Sequence, residues 1–381
     1  MDIKQKIVIA THELIYGVPQ SLRDYLIKRK ASHLLFIGLP FLDSRKASLV
    51  LYKEGQKIDE KISFRNRSLG VLDYFADFFQ VILWVLTKSG THDLFIGVDN
   101  LNCSAGLFLK KIGKVKKVVF YTMDFVPLRF ENRLLNCIYH EIEAICVKKA
   151  DEVWNVSPRM AKGREKYLGI PEKKYPQRFV PVGIWNDRIK KRPFEQIEKN
   201  QILFVGHLST EKQGVQIVLE ALTLVKQEIK EIKFLIVGGG LYGDFLKNRV
   251  KELDLDKNVV FTGWIKDREK LDQMISESAI AVATYKPEKK ILRNFTYFAD
   301  PYKLKDYLGA GLPVVLTDIS YNAKEIAEKE CGIIVKYEVN EIARAIIRLI
   351  SNQETLKKYR LNALNYARKL DWMNVYDKVF K

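Results

Sequence analysis

The chain has 381 residues, enough for two domains, and its 47% hydrophobic and 29% charged residues exclude a disordered or fibrous protein. Cys103, Cys137, Cys146 and Cys331 show neither CxxC nor zinc spacing, so they read as reduced thiols rather than a disulfide scaffold. The formal net charge is +18, and residues 1–190 hold 32 Lys and Arg against 20 Asp and Glu. That excess suits an anionic partner: acidic lipid, a phosphorylated acceptor or nucleic acid.

Met1 to Lys6 runs directly into an apolar strand, Ile7 to Ala10, so no signal peptide is expected. A turn with Gly17 and Pro19 and a helix from about Gln20 to Lys28 follow, then a strand at Leu34–Ile37. Residues 43–69 are charged and carry no clear pattern. Val71 to Thr87 is the most apolar stretch, too short and too charged to span a bilayer. Asp73, Asp77, Gln80, Trp84 and Thr87 share one helical stripe there, and the reading is a packed helix. The acidic stripe counts against docking on anionic lipid. Strands at Asp93–Val98, Val115–Tyr121, Glu152–Val156 and Phe179–Gly183 alternate with helices, which implies a mostly parallel sheet covered by helices. Residues 184–200 lack periodicity and read as an interdomain linker. The alternation then restarts, with strands at Ile202–Val205, Phe234–Val237, Val259–Thr262, Ala279–Ala283, Val314–Leu316 and Gly332–Val335. The expected architecture is α/β, two Rossmann-like domains with parallel sheets facing across a cleft: residues 1–190, then 191–365, with a last helix at about 366–381 returning to the first domain.

The chain is anchored by Asp300 to Val315. Asp300 is positioned to cap a helix, Pro301 fits its first turn, and Gly309 and Gly311 end it before a buried strand. Lys303 lies in the first turn, where a cation opposes the macrodipole unless an anion is near. Asp306, three residues on, offers the simplest partner. Upstream, Val205 to Gly214 reads as strand, loop and helix start, a ready anion site to which Lys212 adds charge. Gly238-Gly239-Gly240 also follows a strand but lacks dinucleotide spacing, and reads as tight packing.

These elements resemble the donor domain of GT-B glycosyltransferases, in particular the family-4-like group. The resemblance rests on Gly206-His207-Leu208 with Lys212, Ile236 to Gly240, Val259 to Gly263, and Lys303-Leu304-Lys305-Asp306-Tyr307 through Val315. It implies that Gly206, His207 and Lys212 hold the donor diphosphate. Gly263, Trp264 and Ile265 would bind the base, Lys303 and Leu304 would face the phosphates or sugar, and Asp306 would accept from the ribose. His207 stands where the family usually has Arg, Asp306 where it has Glu, and Phe298 where an acidic sugar contact falls. The first domain is expected to bind the acceptor, with His12 and Gly17 near the cleft. Asp124 follows a strand there and is a candidate general base or a turn cap.

The resemblance implies an enzyme that moves a sugar from a nucleotide-diphosphate sugar to a hydroxyl of a lipid-linked or glycan acceptor. The expected setting is cytoplasmic, peripheral on the inner face of the plasma membrane where an anionic surface is met. No metal and no cofactor beyond the nucleotide-sugar co-substrate are expected; Asp254 and Asp256 read as turn residues. A non-hydrolysing nucleotide-sugar epimerase of the same fold is the alternative. A basic nucleic-acid-binding protein would exploit the charge, but no RNA-binding motif is visible and no nucleic acid is expected.

Overall fold

The computed structural model describes residues 1–13, 16–41, 45–65, 70–288 and 291–380. The chain divides into two compact units. The first comprises Met1–Pro181, Leu292–Ala299 and Trp372–Lys381, and the second Val182–Ile291 and Asp300–Asp371.

Unit 1 runs β1 (Lys6–Glu13), α1 (Val18–Lys28), β2 (His33–Pro40), β3 (Lys46–Lys53), β4 (Gln56–Phe64), α2 (Val71–Leu86), β5 (His92–Val98), α3 (Asp99–Lys111), β6 (Val115–Thr122), α4 (Arg133–Lys149), β7 (Glu152–Asn155), α5 (Pro158–Leu168) and β8 (Gln177–Phe179). Its sheet has the order β4-β3-β2-β1-β5-β6-β7-β8. All pairings are parallel except β2 with β3 and β3 with β4. The hairpin β3–β4 occupies much of the stretch that shows no pattern in the sequence. Its outer strand is exposed on both faces and carries Lys57, Asp59, Glu60 and Lys61, so the alternation of Ile58, Ile62 and Phe64 is broken at Glu60 and set among charges.

Unit 2 runs β9 (Glu198–Val205), α6 (Val215–Glu228), β10 (Lys233–Val237), α7 (Gly243–Glu252), β11 (Val259–Gly263), α8 (Arg268–Glu277) and β12 (Ser278–Ala283). A short helix, α9 (Phe295–Phe298), belongs to unit 1. Unit 2 resumes with α10 (Tyr302–Gly309), β13 (Val314–Leu316), α11 (Ala323–Glu328), β14 (Gly332–Ile334), α12 (Val339–Ser351) and α13 (Gln353–Lys369). Its sheet is wholly parallel, in the order β11-β10-β9-β12-β13-β14. Apolar residues fill both faces, as a doubly wound sheet requires. Residues 184–197, without periodicity in sequence, are not a free tether. Ile184 N–H donates to the Leu370 carbonyl, and Asn186 N–H to Asp371 Oδ2 at 3.0 Å.

The last helix, α14 (Trp372–Asp377), packs on α1 within unit 1. Tyr25 and Tyr376 meet ring to ring, and Tyr25 Oη donates to Asp377 Oδ1 at 2.8 Å. Among the described residues no helix is long and apolar enough to cross a membrane.

Candidate functional site

In a doubly wound sheet, ligands bind at the carboxyl ends of the strands where the strand order reverses. Those points lie between β1 and β5 in unit 1 and between β9 and β12 in unit 2.

At the unit 2 point, three loops are stitched together by backbone bonds. Gly206 N–H donates to the Val237 carbonyl, Leu208 N–H to Gly239, and Gly238 N–H to Gly263. The glycine run serves this packing. Gly238 has φ +137, and a Cβ there would lie 1.9 Å from the Gly206 carbonyl oxygen. His207 and Trp264, 57 positions apart in sequence, come together with ring centroids 4.9 Å apart. Both are exposed at the strand ends.

Lys303 is the unusual cation. Its Nζ donates to Gln213 Oε1 at 2.8 Å and lies 4.4 Å from the Phe204 ring centroid and 5.6 Å from that of Tyr285. Gly206 makes room for it, since a Cβ there would lie 2.5 Å from Nζ. Among the described residues no carboxylate pairs with it, and burial lowers its pKa to about 7. Lys303 therefore does not pair with Asp306. Lys212 lies in the turn before α6 and pairs with Glu288 at 2.6 Å. α6 itself starts after Gly214 without a side-chain cap.

Other expected residues are placed differently. Leu304 is fully buried in the core beneath α10, so only its backbone is available to a ligand. Ile265 packs partly against the same core. Asp306 is buried: Oδ1 accepts from Arg188, and Oδ2 from Arg268 at 2.8 Å. The same two guanidinium groups also pair with Asp272. Asp300 does not cap α10, whose N-cap residue is Pro301. Its buried carboxylate instead pairs with Lys305 at 2.9 Å and accepts from Val182 N–H and Tyr321 Oη. Phe298 packs edge-on against Phe125 in unit 1. Asp254 sits in a left-handed turn after α7, in keeping with its reading as turn chemistry. Among the described residues no group of three or more His, Cys, Asp or Glu is placed to hold a metal ion.

At the unit 1 point, β1 contributes His12, the end of β5 contributes Asp99, and the loop after β6 contributes Asp124. His12 is held on both sides. Its Nε2 lies 3.2 Å from Asp77 Oδ2, and its Nδ1 lies 3.3 Å from Asn102 Nδ2. Since the Asn102 amide donates, the network assigns the proton to Nε2. Asp77 is wholly buried and also accepts from Arg65. Gly17 begins α1, and its N–H donates to Gln20 Oε1 at 2.9 Å, leaving Gln20 Nε2 to donate to Glu13.

Asp124 does not cap a turn. Its carboxylate accepts from Arg129, which stacks over Tyr139 with 4.7 Å to the ring centroid. The loop that carries it rests on a buried network. Arg164 donates to Glu143, Asn155 and Thr122, and Thr122 Oγ1 donates to the Asp124 carbonyl. Asp99 carries no signal in the sequence. It has φ +65, rare outside glycine, and its carboxylate accepts from the Met123 N–H. Burial, then the charge of Asp124, raises its pKa to about 6, against the pull of Arg129 and His12. In sequence an Asp at a helix start reads as an ordinary first-turn acid; only the backbone angle and the nearby Asp124 distinguish it.

Residues 199–352 match the family model of glycosyl transferases group 1. An uncharacterised glycosyltransferase of Methanocaldococcus jannaschii is 28% identical over 300 residues, 72% of this chain and 70% of that protein. An alpha-monoglucosyldiacylglycerol synthase of Streptococcus pneumoniae is 25% identical over 217 residues, 52% of this chain and 46% of that protein. The chain spans a quarter to a half of the length of three curated relatives that it matches, 24%, 46% and 52%. Anabaena HepE, solved in complex with UDP-glucose, superposes with a TM-score of 0.72 at 15% identity, over 98% of each chain. Sucrose-phosphate synthase of Thermosynechococcus elongatus gives 0.71 at 16% identity, over 98% of this chain and 97% of that one. Residues 199–352 are thus similar to the glycosyl transferases group 1 family, and the fold of the chain is GT-B, that of glycosyltransferases.

Proposed function

We propose that the chain transfers a sugar from a nucleotide-diphosphate sugar, held by unit 2, to a hydroxyl of a lipid-linked or glycan acceptor held by unit 1, at the cytoplasmic face of a membrane. The observation that carries this reading is the Lys303 ammonium, half-buried at a strand-end switch point with a neutral amide as its partner. A diphosphate supplies the missing negative charge. Lys212 adds a second cation once it exchanges Glu288 for phosphate, and the uncapped start of α6 adds backbone N–H groups. The exposed His207–Trp264 pair would stack on the base. Asp306 still has lone pairs free to accept from ribose hydroxyls, although both its oxygens already bind guanidinium groups. The relatives named as a monoglucosyldiacylglycerol synthase and a poly(glycerol-phosphate) alpha-glucosyltransferase support the acceptor class, and the HepE complex supports a UDP-sugar donor.

On the acceptor side, the Asp99 carboxylate feels the negative charge of Asp124, and Arg129 binds Asp124 beside it. An acceptor hydroxyl that attacks the anomeric carbon must lose its proton. A carboxylate with pKa near 6 takes that proton more readily than one neutralised by a guanidinium. In this reading Asp99 is the base, and Asp124 keeps its pKa high.

Calorimetry with UDP and GDP tests the donor half. Lys303→Ala and Lys212→Ala are each expected to weaken binding by roughly 1.5–3 kcal/mol. Lys303 is partly neutral in the free protein above pH 7 and charged beside a diphosphate. Binding at pH 8 should therefore take up a proton, and affinity should fall as pH rises past 7. Unchanged affinity in both variants would move the donor site elsewhere.

A further inference from the structure

The helix α2 is turned inside out relative to an ordinary surface helix. Its acidic stripe points inward: Asp73 and Asp77 are buried, and Asp77 holds His12 and Arg65. Its outer stripe is apolar. Leu72, Phe75, Phe79 and Leu83 are each 57% to 61% exposed, and Leu86 continues the row. Their spacing of three, four, four and three places them along one line of the helix. Every exposed α2 side chain that the structure describes is uncharged.

The apolar surface continues onto its neighbours. α2, α3 and α4 bury their inner sides in one core cluster on a single face of the sheet. Phe78 of α2 meets Phe108 of α3 edge-on, 6.4 Å between centroids. Phe108 and Ile112 are exposed beyond it, and α4 adds Leu134, Ile138 and Ile145. The charged side chains exposed on these three helices are Lys111, Arg133, Lys148 and Lys149, against one acid, Glu141. A contiguous apolar patch of this extent is rare on a surface that meets only water.

We infer that the outer face of α2, extended by α3 and α4, docks on a bilayer that contains anionic lipid. Phenylalanine and leucine enter the interface, and the four cations meet headgroup phosphates. The acidic stripe that argues against such docking in the sequence is buried under the helix, so it repels nothing. A second copy of this chain is the less suited occupant, because two such faces would oppose their own Lys and Arg excess. The inference deepens the proposed function, on which it rests for the acceptor. The helix that meets the lipid also carries Asp77, which holds His12 at the unit 1 switch point, so a lipid-borne acceptor would arrive beside that site.

Co-sedimentation with vesicles tests it without donor or acceptor. Wild type should sediment with phosphatidylcholine vesicles containing 30% phosphatidylglycerol, a fraction on the order of that in anionic membranes, and much less with phosphatidylcholine alone. Phe79→Asp combined with Leu83→Asp should weaken sedimentation at least tenfold, with an unchanged melting temperature because both side chains are exposed. Lys111→Glu with Lys148→Glu and Lys149→Glu should weaken it on anionic vesicles only. Equal binding to both vesicle types, or binding unaffected by the Phe79/Leu83 variant, would overturn the inference. So would a dimer in light scattering that this variant dissolves, which would assign the face to a second copy. UDP binding by calorimetry on the same variant should be unchanged. Its loss in wild type would instead sink the donor reading and leave the vesicle result standing.

Discussion

Lys303 shows how one side chain can be legible in sequence for the wrong partner. A Lys in a first helical turn calls for an anion, and the nearest in sequence is Asp306. In the folded chain each of the two finds something else: Lys303 meets Gln213, and Asp306 meets Arg188 and Arg268. Arg188 is 118 positions from Asp306, so no local pattern could announce it. Asp99 is the converse case, a residue that carries no motif and is singled out only by its backbone angle and the nearby Asp124. Asp99→Asn is expected to lower turnover about 10²–10⁴-fold, the usual worth of a general base, with donor affinity unchanged. Asp124→Asn removes the nearby negative charge, so the Asp99 pKa should fall and the acid limb of the pH–rate profile should move to lower pH. A profile that stays put in Asp124→Asn would uncouple the two carboxylates. Near-normal turnover in Asp99→Asn would return the base role to Asp124.

At the scale of elements, most strands and helices follow their apolar periods, because a buried parallel strand and an amphipathic helix leave strong marks on sequence; the strand expected at Phe179–Gly183 lies instead at Gln177–Phe179. The hairpin β3–β4 leaves a weak mark because its outer strand buries almost nothing. The periodicity of α2 is plain, but it cannot say which stripe faces in, since buried Asp77 and exposed Phe79 both run against rule. In the loops of unit 2, the glycine run is legible as packing. Gly238→Ala would press a Cβ onto the Gly206 carbonyl in a backbone conformation that suits glycine. We expect a loss of about 1–3 kcal/mol in the stability of unit 2, together with weaker UDP binding, because the same loop places Gly206 beside Lys303. Denaturant melts followed by Trp264 fluorescence would measure the first. A stability within about 0.5 kcal/mol of wild type, the range of an ordinary surface change, would show that the loops part without cost.

For the molecule as a whole, the acid limit of stability is set in part at the opposite end of the unit 1 sheet, where His33 and His92 begin β2 and β5. Their rings lie 6.0 Å apart, and among the described residues neither ring nitrogen of His92 has a hydrogen-bond partner. Burial, then the neighbouring His33 and Lys6, lowers the His92 pKa to about 4. An unfolded His92 takes up its proton near pH 6.5, so the unfolded chain gains protons first as pH falls. Unit 1 should therefore lose stability between about pH 6.5 and 4, by up to about 3 kcal/mol. His92→Phe should flatten that slope. A wild-type stability that is level across the window, by hydrogen exchange in β5, would contradict this.

The placement of α14 has a consequence for synthesis. Unit 1 takes its largest segment from Met1–Pro181, yet its α1 face is covered by Trp372, Tyr376 and their neighbours, which follow almost the whole of unit 2. At ribosomal speeds of about 5–20 residues per second, roughly 10–40 seconds separate the emergence of Pro181 from that of α14. Over that interval the nascent first unit has Tyr25 and its surroundings bare, while unit 2 is being made and folded behind it. Maturation is then circular rather than first-come: the unit that emerges first closes last. A chaperone that shields aromatic surface has its natural window on this chain during those seconds.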